Sequence, residues 1–271
     1  MWPLELKVLL GEAERPSAAA APRTQPKAGF DDWLAVNGLT RDLVRAQLAA
    51  ITAPDGSVGP PVPARLGLSA AQAWGLCAGA LRAAVPELGT QIGEVEMRAP
   101  KCLAPRAGKH PRPFTYDLGG GALPLVSLHY QDRPVDLLAM AHEVGHALQI
   151  VASQGRSDGQ MPPVARECCA FLAELAILQH LPTRFAALAP AHQADDAIYF
   201  GDNARALAEA MTDPRQPYRY AWNYPLARHI AARLFRSESA CNLGALYRAG
   251  PEGGSYIQHC AAAWHPRGAA A

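Results

Sequence analysis

A chain of 271 residues with 49% hydrophobic and 18% charged residues is long enough for one substantial core and too apolar to be disordered. Its 25 basic and 24 acidic residues give a formal net charge of +1, which leaves no electrostatic footprint for nucleic acid or an anionic membrane surface. No window of ~18 residues is apolar and free of charge, so no transmembrane helix is expected; the N-terminal stretch, interrupted by Glu5, Lys7 and Glu12, does not read as a signal peptide, and a cytoplasmic enzyme is the default expectation.

In chain order, residues 1–10 read as a strand or short helix that docks elsewhere. Residues 11–28 are rich in Ala and Pro and read as a linker or arm, so the chain divides into an N-terminal piece, 1–28, and a single domain over 29–271. Trp33, Val36, Leu39, Leu43, Leu48 and Ile51 recur at helical spacing over 30–52, with a break near Gly38, and 53–66 is a Pro- and Gly-rich loop. Ser69 reads as the cap of a helix over 70–85 that ends before Pro86. Residues 90–130 read as β-rich: IGEVEMR alternates, and LPLVSLHY is an apolar run bounded by GGG and by Gln131-Asp132. Helices follow over 134–153, 163–181, 190–211 and 225–236, with one or two short ones after Ser237. The expected fold class is mainly α with a small β-sheet (α+β). The six cysteines, Cys77, Cys102, Cys168, Cys169, Cys241 and Cys260, form no C-x-x-C pair, and reduced structural thiols are expected.

The strongest chemical signal is His142-Glu143-Val144-Gly145-His146. Histidines four apart on a helix project from one face, so both imidazoles can reach one ion, and the glutamate beside the first can take a proton from a water on that ion. Composition alone yields H-E-x-x-H in roughly one chain in a hundred of this size and histidine content, so a second line of support is needed. Helical context supplies it. Pro134 suits a first turn and Asp136 sits where the helix dipole favours an acid. Leu137, Ala141, Val144, Leu148 and Val151 make an apolar stripe with His142 and His146 at its border. Gly145 costs about 1 kcal/mol in helix propensity, which a close packing partner or a substrate at that position explains. The competing reading is a core helix with two partly exposed histidines.

Zinc needs a third protein ligand and one open position. The next helix reads VARECCAFLAELAILQHL, and its carboxylates Glu167 and Glu174 lie seven apart, on one face. Its other side chains are mostly apolar or small, so both acids enter an interior unless they are paired, and a metal and a histidine N–H are natural partners. Glu167 follows His146 by 21 residues, enough for a loop and an antiparallel return that brings the start of the second helix to the HExxH turn.

These residues resemble the thimet oligopeptidase and oligoendopeptidase F family of zinc peptidases over roughly residues 100–250. AHEVGHALQ is similar to that family's HE-x-GHA block, with Gln149 where many members carry histidine. RECCAFLAE resembles a block in which an acidic ligand precedes a second glutamate by seven. RAGKHPRPFTYD and LPLVSLHY resemble the segment leading into a substrate-binding strand, and PYRYAWNYPLARHIAA resembles an aromatic segment whose tyrosines bind substrate and stabilise the tetrahedral intermediate. The resemblance implies a gluzincin-type zincin domain with one Zn2+ held by His142, His146 and Glu167, Glu174 behind them, and Glu143 as general base. It also implies Tyr224 and Tyr220 as oxyanion donors, with Tyr218 standing in for an earlier aromatic, and substrate pairing at an edge strand around Val126 to His129. Trp222 replaces a tyrosine of the pattern.

The function expected from this reading is metallopeptidase action, endo- or oligopeptidase, on a dedicated peptide substrate. The alternatives are a non-proteolytic zinc amide hydrolase and a catalytically idle binding protein of the same fold. Family members are usually about twice as long, so either an open cleft or a homodimer in which one subunit's N-terminal segment covers the other's site is expected.

Overall fold

The computed structural model describes residues 4–13, 28–52, 64–153, 160–181, 185–236 and 242–264. The first described element is α1 (Leu4–Leu9). After it, α2 (Phe30–Asn37) stops at Gly38, whose φ of 59° is a left-handed conformation that glycine adopts without steric cost. The chain restarts as α3 (Arg41–Ala50) under Thr40, whose side chain accepts from Leu43 N. A capping box of Ser69 and Gln72 opens α4 (Ala70–Ala84).

The β reading of IGEVEMR fails: the segment lies in α5 (Gly89–Arg98). Ile92 and Val95, three apart, are its buried pair, while Met97, which completes the apparent alternation, is 77% exposed. An alternation this short fits helical spacing equally well. The sheet is smaller than expected, with β1 (Lys101–Cys102), β2 (Phe114–Tyr116) and β3 (Leu125–Ser127) in the order β1-β3-β2. β3 runs parallel to β1 and antiparallel to β2, with Val126 opposite both Lys101 and Thr115. β3 is therefore the central strand, buried at all three positions. The expected edge strand around Val126 is not an edge; among the described strands β1 and β2 are the outer ones.

The remaining elements are α6 (Pro134–Ser153), α7 (Pro163–His180), α8 (Leu188–Asp196), α9 (Ala204–Thr212), α10 (Asn223–Arg236), α11 (Leu243–Arg248) and α12 (Gly253–Ala263). A π-helical stretch, Ala197–Asn203, joins α8 to α9, so the segment expected as one helix over 190–211 carries a widened turn at its middle. The fold class is the expected one, mainly α with a small mixed sheet.

Long-range hydrogen bonds set the position of α7, the second helix of the candidate site. Pro162 offers no side-chain cap, and the role passes to Asn37 of α2: its Oδ1 accepts from Val164 N at 2.7 Å while its Nδ2 donates to Trp33 O. Trp33 Nε1 in turn donates to Asn223 Oδ1 at 2.8 Å, which ties α2 to the start of α10. Asp136 accepts from Gln131 N and Arg133 N, satisfying backbone donors where α6 begins. At the other end of the chain, α1 packs on its own subunit's sheet. Leu6 and Leu10 bury against Leu125, with Phe114 and Tyr116 alongside, and His110 N donates to Leu9 O at 2.7 Å.

The cysteine expectation holds in part. Cys77, Cys102, Cys168 and Cys169 are free, and burial pushes the thiols of Cys77, Cys168 and Cys169 above their ordinary range, as suits inert packing groups. Cys260, however, is disulfide-bonded, and Cys241 lies outside the described residues. Chain length removes the need for a bridge but does not prevent one. No described helix is long and apolar enough to cross a membrane.

Candidate metal centre

Helices α6 and α7 pack closely, and Gly145 makes this possible. A Cβ at Gly145 would lie 2.9 Å from Ala170 Cα and 2.9 Å from Ala173 Cβ. Of the two explanations for a glycine here, close packing is the one the geometry displays; Gly145 faces α7 and does not line the cleft. The polar groups flank this contact, with His142 three positions before Gly145 and His146 one after it. His142 Nε2 is 3.3 Å and His146 Nε2 3.6 Å from Glu167 Oε2, and one ligand atom from each of the three residues lies within 4.8 Å of the others.

Proton bookkeeping shows what this arrangement lacks. His142 Nδ1 lies 2.7 Å from Glu174 Oε1 and donates to it, which leaves the Nε2 of a neutral His142 as a lone pair aimed at Glu167. Glu167 Oε2 is itself a buried oxygen without a hydrogen-bond partner among the described residues. Lone pairs therefore converge on one point, a repulsive arrangement unless a cation fills it. A proton on Nε2 relieves this repulsion as a cation would, and the titration directions show the same demand for positive charge at that point. Burial disfavours a charged His142, but Glu167 and Glu174 outweigh it and hold the imidazole well above its ordinary value. Burial would likewise raise Glu167, yet His146 and His142 keep its carboxyl well below the usual carboxylate range. Two histidines and a buried carboxylate whose donor atoms converge in this way are a set that fits zinc.

Glu174 is fixed from behind. Arg228 Nη1 reaches its Oε2 at 3.2 Å, Arg228 Nε reaches Asp196 Oδ1 at 2.6 Å, and Arg228 Nη2 donates to His192 O at 2.6 Å. The guanidinium, 3% exposed, also stacks over the Phe171 and Tyr199 rings. No local motif announces Arg228, although a lone cation among Leu226, Ala227, Ile230 and Ala231 on an otherwise apolar face is a signal of a buried partner.

Glu143 is held from the sheet side. The Thr115 hydroxyl of β2 lies 2.7 Å from Glu143 Oε2 and 2.9 Å from its backbone oxygen, while Oε1 has no partner among the described residues. The aromatic segment divides. Tyr220 donates to Glu167 Oε1 at 2.5 Å and accepts from Arg166 Nη2 at 2.6 Å, so its hydroxyl is committed to the carboxylate. Tyr224 lines the same cleft and its hydroxyl has no partner among the described residues; burial holds the phenol above its ordinary value, so it remains a donor at neutral pH. Tyr218 accepts from Asn223 Nδ2 and packs edge-on against Trp222, outside the cleft lining. Val126 is fully buried within the sheet, and His129 Nε2 lies 3.1 Å from His110 O; neither lines the cleft.

The cleft has a volume of about 920 Å³ and opens over His142, Glu143, His146 and Glu167. Its walls include Phe114 to Asp117 of the β2 region, the Gly119–Gly121 turn, Gln149 and Met161. No family model and no curated protein matches the chain. Two solved structures are similar to it: a candidate peptidase from Chlamydophila abortus, at 14% identity and a TM-score of 0.51, and a candidate oligoendopeptidase F from Bacillus anthracis str. Ames, at 14% and 0.48. The likeness is one of fold. Each alignment covers 86% of this chain but only 51% and 55% of the other, so the chain spans about half the length of the structures it matches.

Proposed function

We propose that this protein is a zinc-dependent hydrolase of peptide bonds, with the metal on His142, His146 and Glu167. The observation that carries the reading is the convergence of buried lone pairs from those residues while Glu174 claims the other nitrogen of His142. When bound, zinc supplies Lewis acidity toward a carbonyl oxygen and toward water.

The chain's own residues carry the rest. Glu143, steadied by Thr115, takes the proton of the attacking water through its free Oε1 and delivers it to the departing amine. As the water oxygen bonds to the carbonyl carbon, Tyr224 donates to the developing oxyanion; as that charge returns to re-form the carbonyl, the C–N bond breaks and the amine leaves with the proton from Glu143. Tyr220 is not the primary donor in this scheme, because its hydroxyl already donates to Glu167 Oε1. Substrate backbone lies along β2 and the Gly119–Gly121 turn, the cleft-lining side of the sheet, where an extended peptide can add to the strand order.

Digestion of a defined peptide library, followed by mass spectrometry, tests this reading. The zinc-loaded protein is expected to cleave internal or near-terminal peptide bonds, and Glu143→Gln is expected to abolish the same products. Cleavage that persists unchanged in Glu143→Gln contradicts it.

A further inference from the structure

Arg166 precedes the metal-site carboxylate by one position and lines the cleft beside it. Its Nη2 donates to the Tyr220 hydroxyl at 2.6 Å, and its guanidinium carbon stands 5.8 Å from the centre of that ring. No acidic side chain among the described residues lies within the 4.0 Å reach of an ion pair with it. The contrast with Arg228 is direct, since that more deeply buried guanidinium is matched by both Glu174 and Asp196. The other acids that line the cleft are engaged elsewhere: Glu143 with Thr115, and Asp117 with Gly119 N at 2.8 Å. Glu167 makes no ion pair with Arg166 and meets it through the Tyr220 hydroxyl, although its charge also acts on Arg166 directly; a cation on Glu167 offsets that charge.

A half-buried guanidinium with spare donors and no ion-pair partner among the described residues, facing a cleft, is costly for the empty protein and is met best by a planar anion. Two hydrogen bonds separate it from Glu167 Oε1, so whatever it holds lies next to the reacting position. We infer that Arg166 binds a carboxylate of the substrate, making the protein selective for peptides that carry a negative charge adjacent to the cleaved bond. The inference rests on the peptidase reading for the reaction, but not for the binding. Two sources offer the same chemistry, the α-carboxylate of a peptide C-terminus and the side chain of Asp or Glu.

The test uses zinc-loaded full-length Glu143→Gln protein, which binds peptide without turnover, and titration calorimetry with three N-acetylated heptapeptides of one sequence. They are the free acid with a central Gln, its C-terminal amide, and the amide with that Gln replaced by Glu. At least one charged peptide is expected to bind ~10-fold more tightly than the neutral amide, the scale of a charge-assisted pair. Adding Arg166→Leu should erase that preference, weakening the charged peptide by more than the neutral amide, and adding Arg166→Lys should keep part of it. Preference for the free acid assigns the C-terminal carboxylate, and preference for the Glu peptide assigns the side chain. Equal binding of all three, absence of binding, a preference that survives Arg166→Leu, or equal weakening of all three by that change overturns the inference. Retained preference in a wild-type protein that hydrolyses none of the peptides sinks the peptidase reading and leaves the carboxylate site standing.

Discussion

His142 on α6 donates its Nδ1 proton to Glu174 on α7 at 2.7 Å, across 32 residues of sequence. This one bond selects the tautomer, turns Nε2 toward Glu167, and makes Arg228 a part of the site through the other oxygen of Glu174. Partners of this kind behind a metal-ligating histidine typically change metal affinity by about 10- to 100-fold. Glu174→Ala is therefore expected to weaken zinc binding on that scale, measured by competition with a chromogenic chelator. It also leaves Arg228 with Asp196 alone, so the metal-free melting temperature should fall as well. Unchanged zinc affinity would show that the bond is only structural.

The close approach at Gly145 gives a second expectation. Alanine is the better helix former by about 1 kcal/mol, but its methyl at 2.9 Å from Ala170 and Ala173 forces α6 and α7 apart. Overpacking of this kind costs about 1–3 kcal/mol. Gly145→Ala should lower the urea midpoint of unfolding, and a raised midpoint would mean that the helices yield without loss.

The two cleft tyrosines should separate cleanly. Tyr224→Phe removes a free donor and is expected to lower kcat by about 10²-fold with zinc content intact. Tyr220→Phe removes the hydroxyl that holds Glu167 Oε1, so its first effect should be weaker zinc binding. Kinetics of the zinc-saturated variants, with zinc affinities measured separately, decide the point; identical behaviour of the two variants contradicts the division of roles.

His229 reports on stability away from the site. Burial, reinforced by Arg233 and Arg236, pushes its imidazole down from the ordinary 6.5 to about 4. Its folded-state value is depressed, so the unfolded chain takes up the proton first. Its contribution to stability is complete above pH 6.5 and is lost as pH falls toward 4. His229→Gln should therefore gain stability relative to the parent at pH 4.5 compared with pH 7, at equal metal loading. A difference in melting temperature that does not change with pH would contradict this.

Much of the fold was legible because it is written in local signals. Pro134, Ser69 and Gly38 mark helix ends where the structure has them, and the HExxH spacing needs nothing beyond one helix face. Glu167 could be anticipated because a short loop forces an antiparallel return. Strand order could not be read, because nothing local in LPLVSLHY says that β3 will be covered on both sides by β1 and β2. IGEVEMR misled because Val95 and Met97 alternate with charged residues over so short a run, whereas Ile92 and Val95, three apart, follow the helical spacing that the structure adopts. Thr115, Arg166 and Arg228 entered only with the tertiary structure, since each matters through a partner at least 28 positions away.

The metal itself is the most direct test of the account. Purified protein, analysed by inductively coupled plasma mass spectrometry after dialysis against buffer with trace zinc, should carry about one zinc per chain. Glu143→Gln should carry the same amount while losing hydrolysis by at least ~100-fold, and His142→Ala and Glu167→Ala should carry almost none. Full zinc content in both ligand variants, or a wild-type protein that takes up no zinc, would contradict the assignment of His142, His146 and Glu167 as the metal centre.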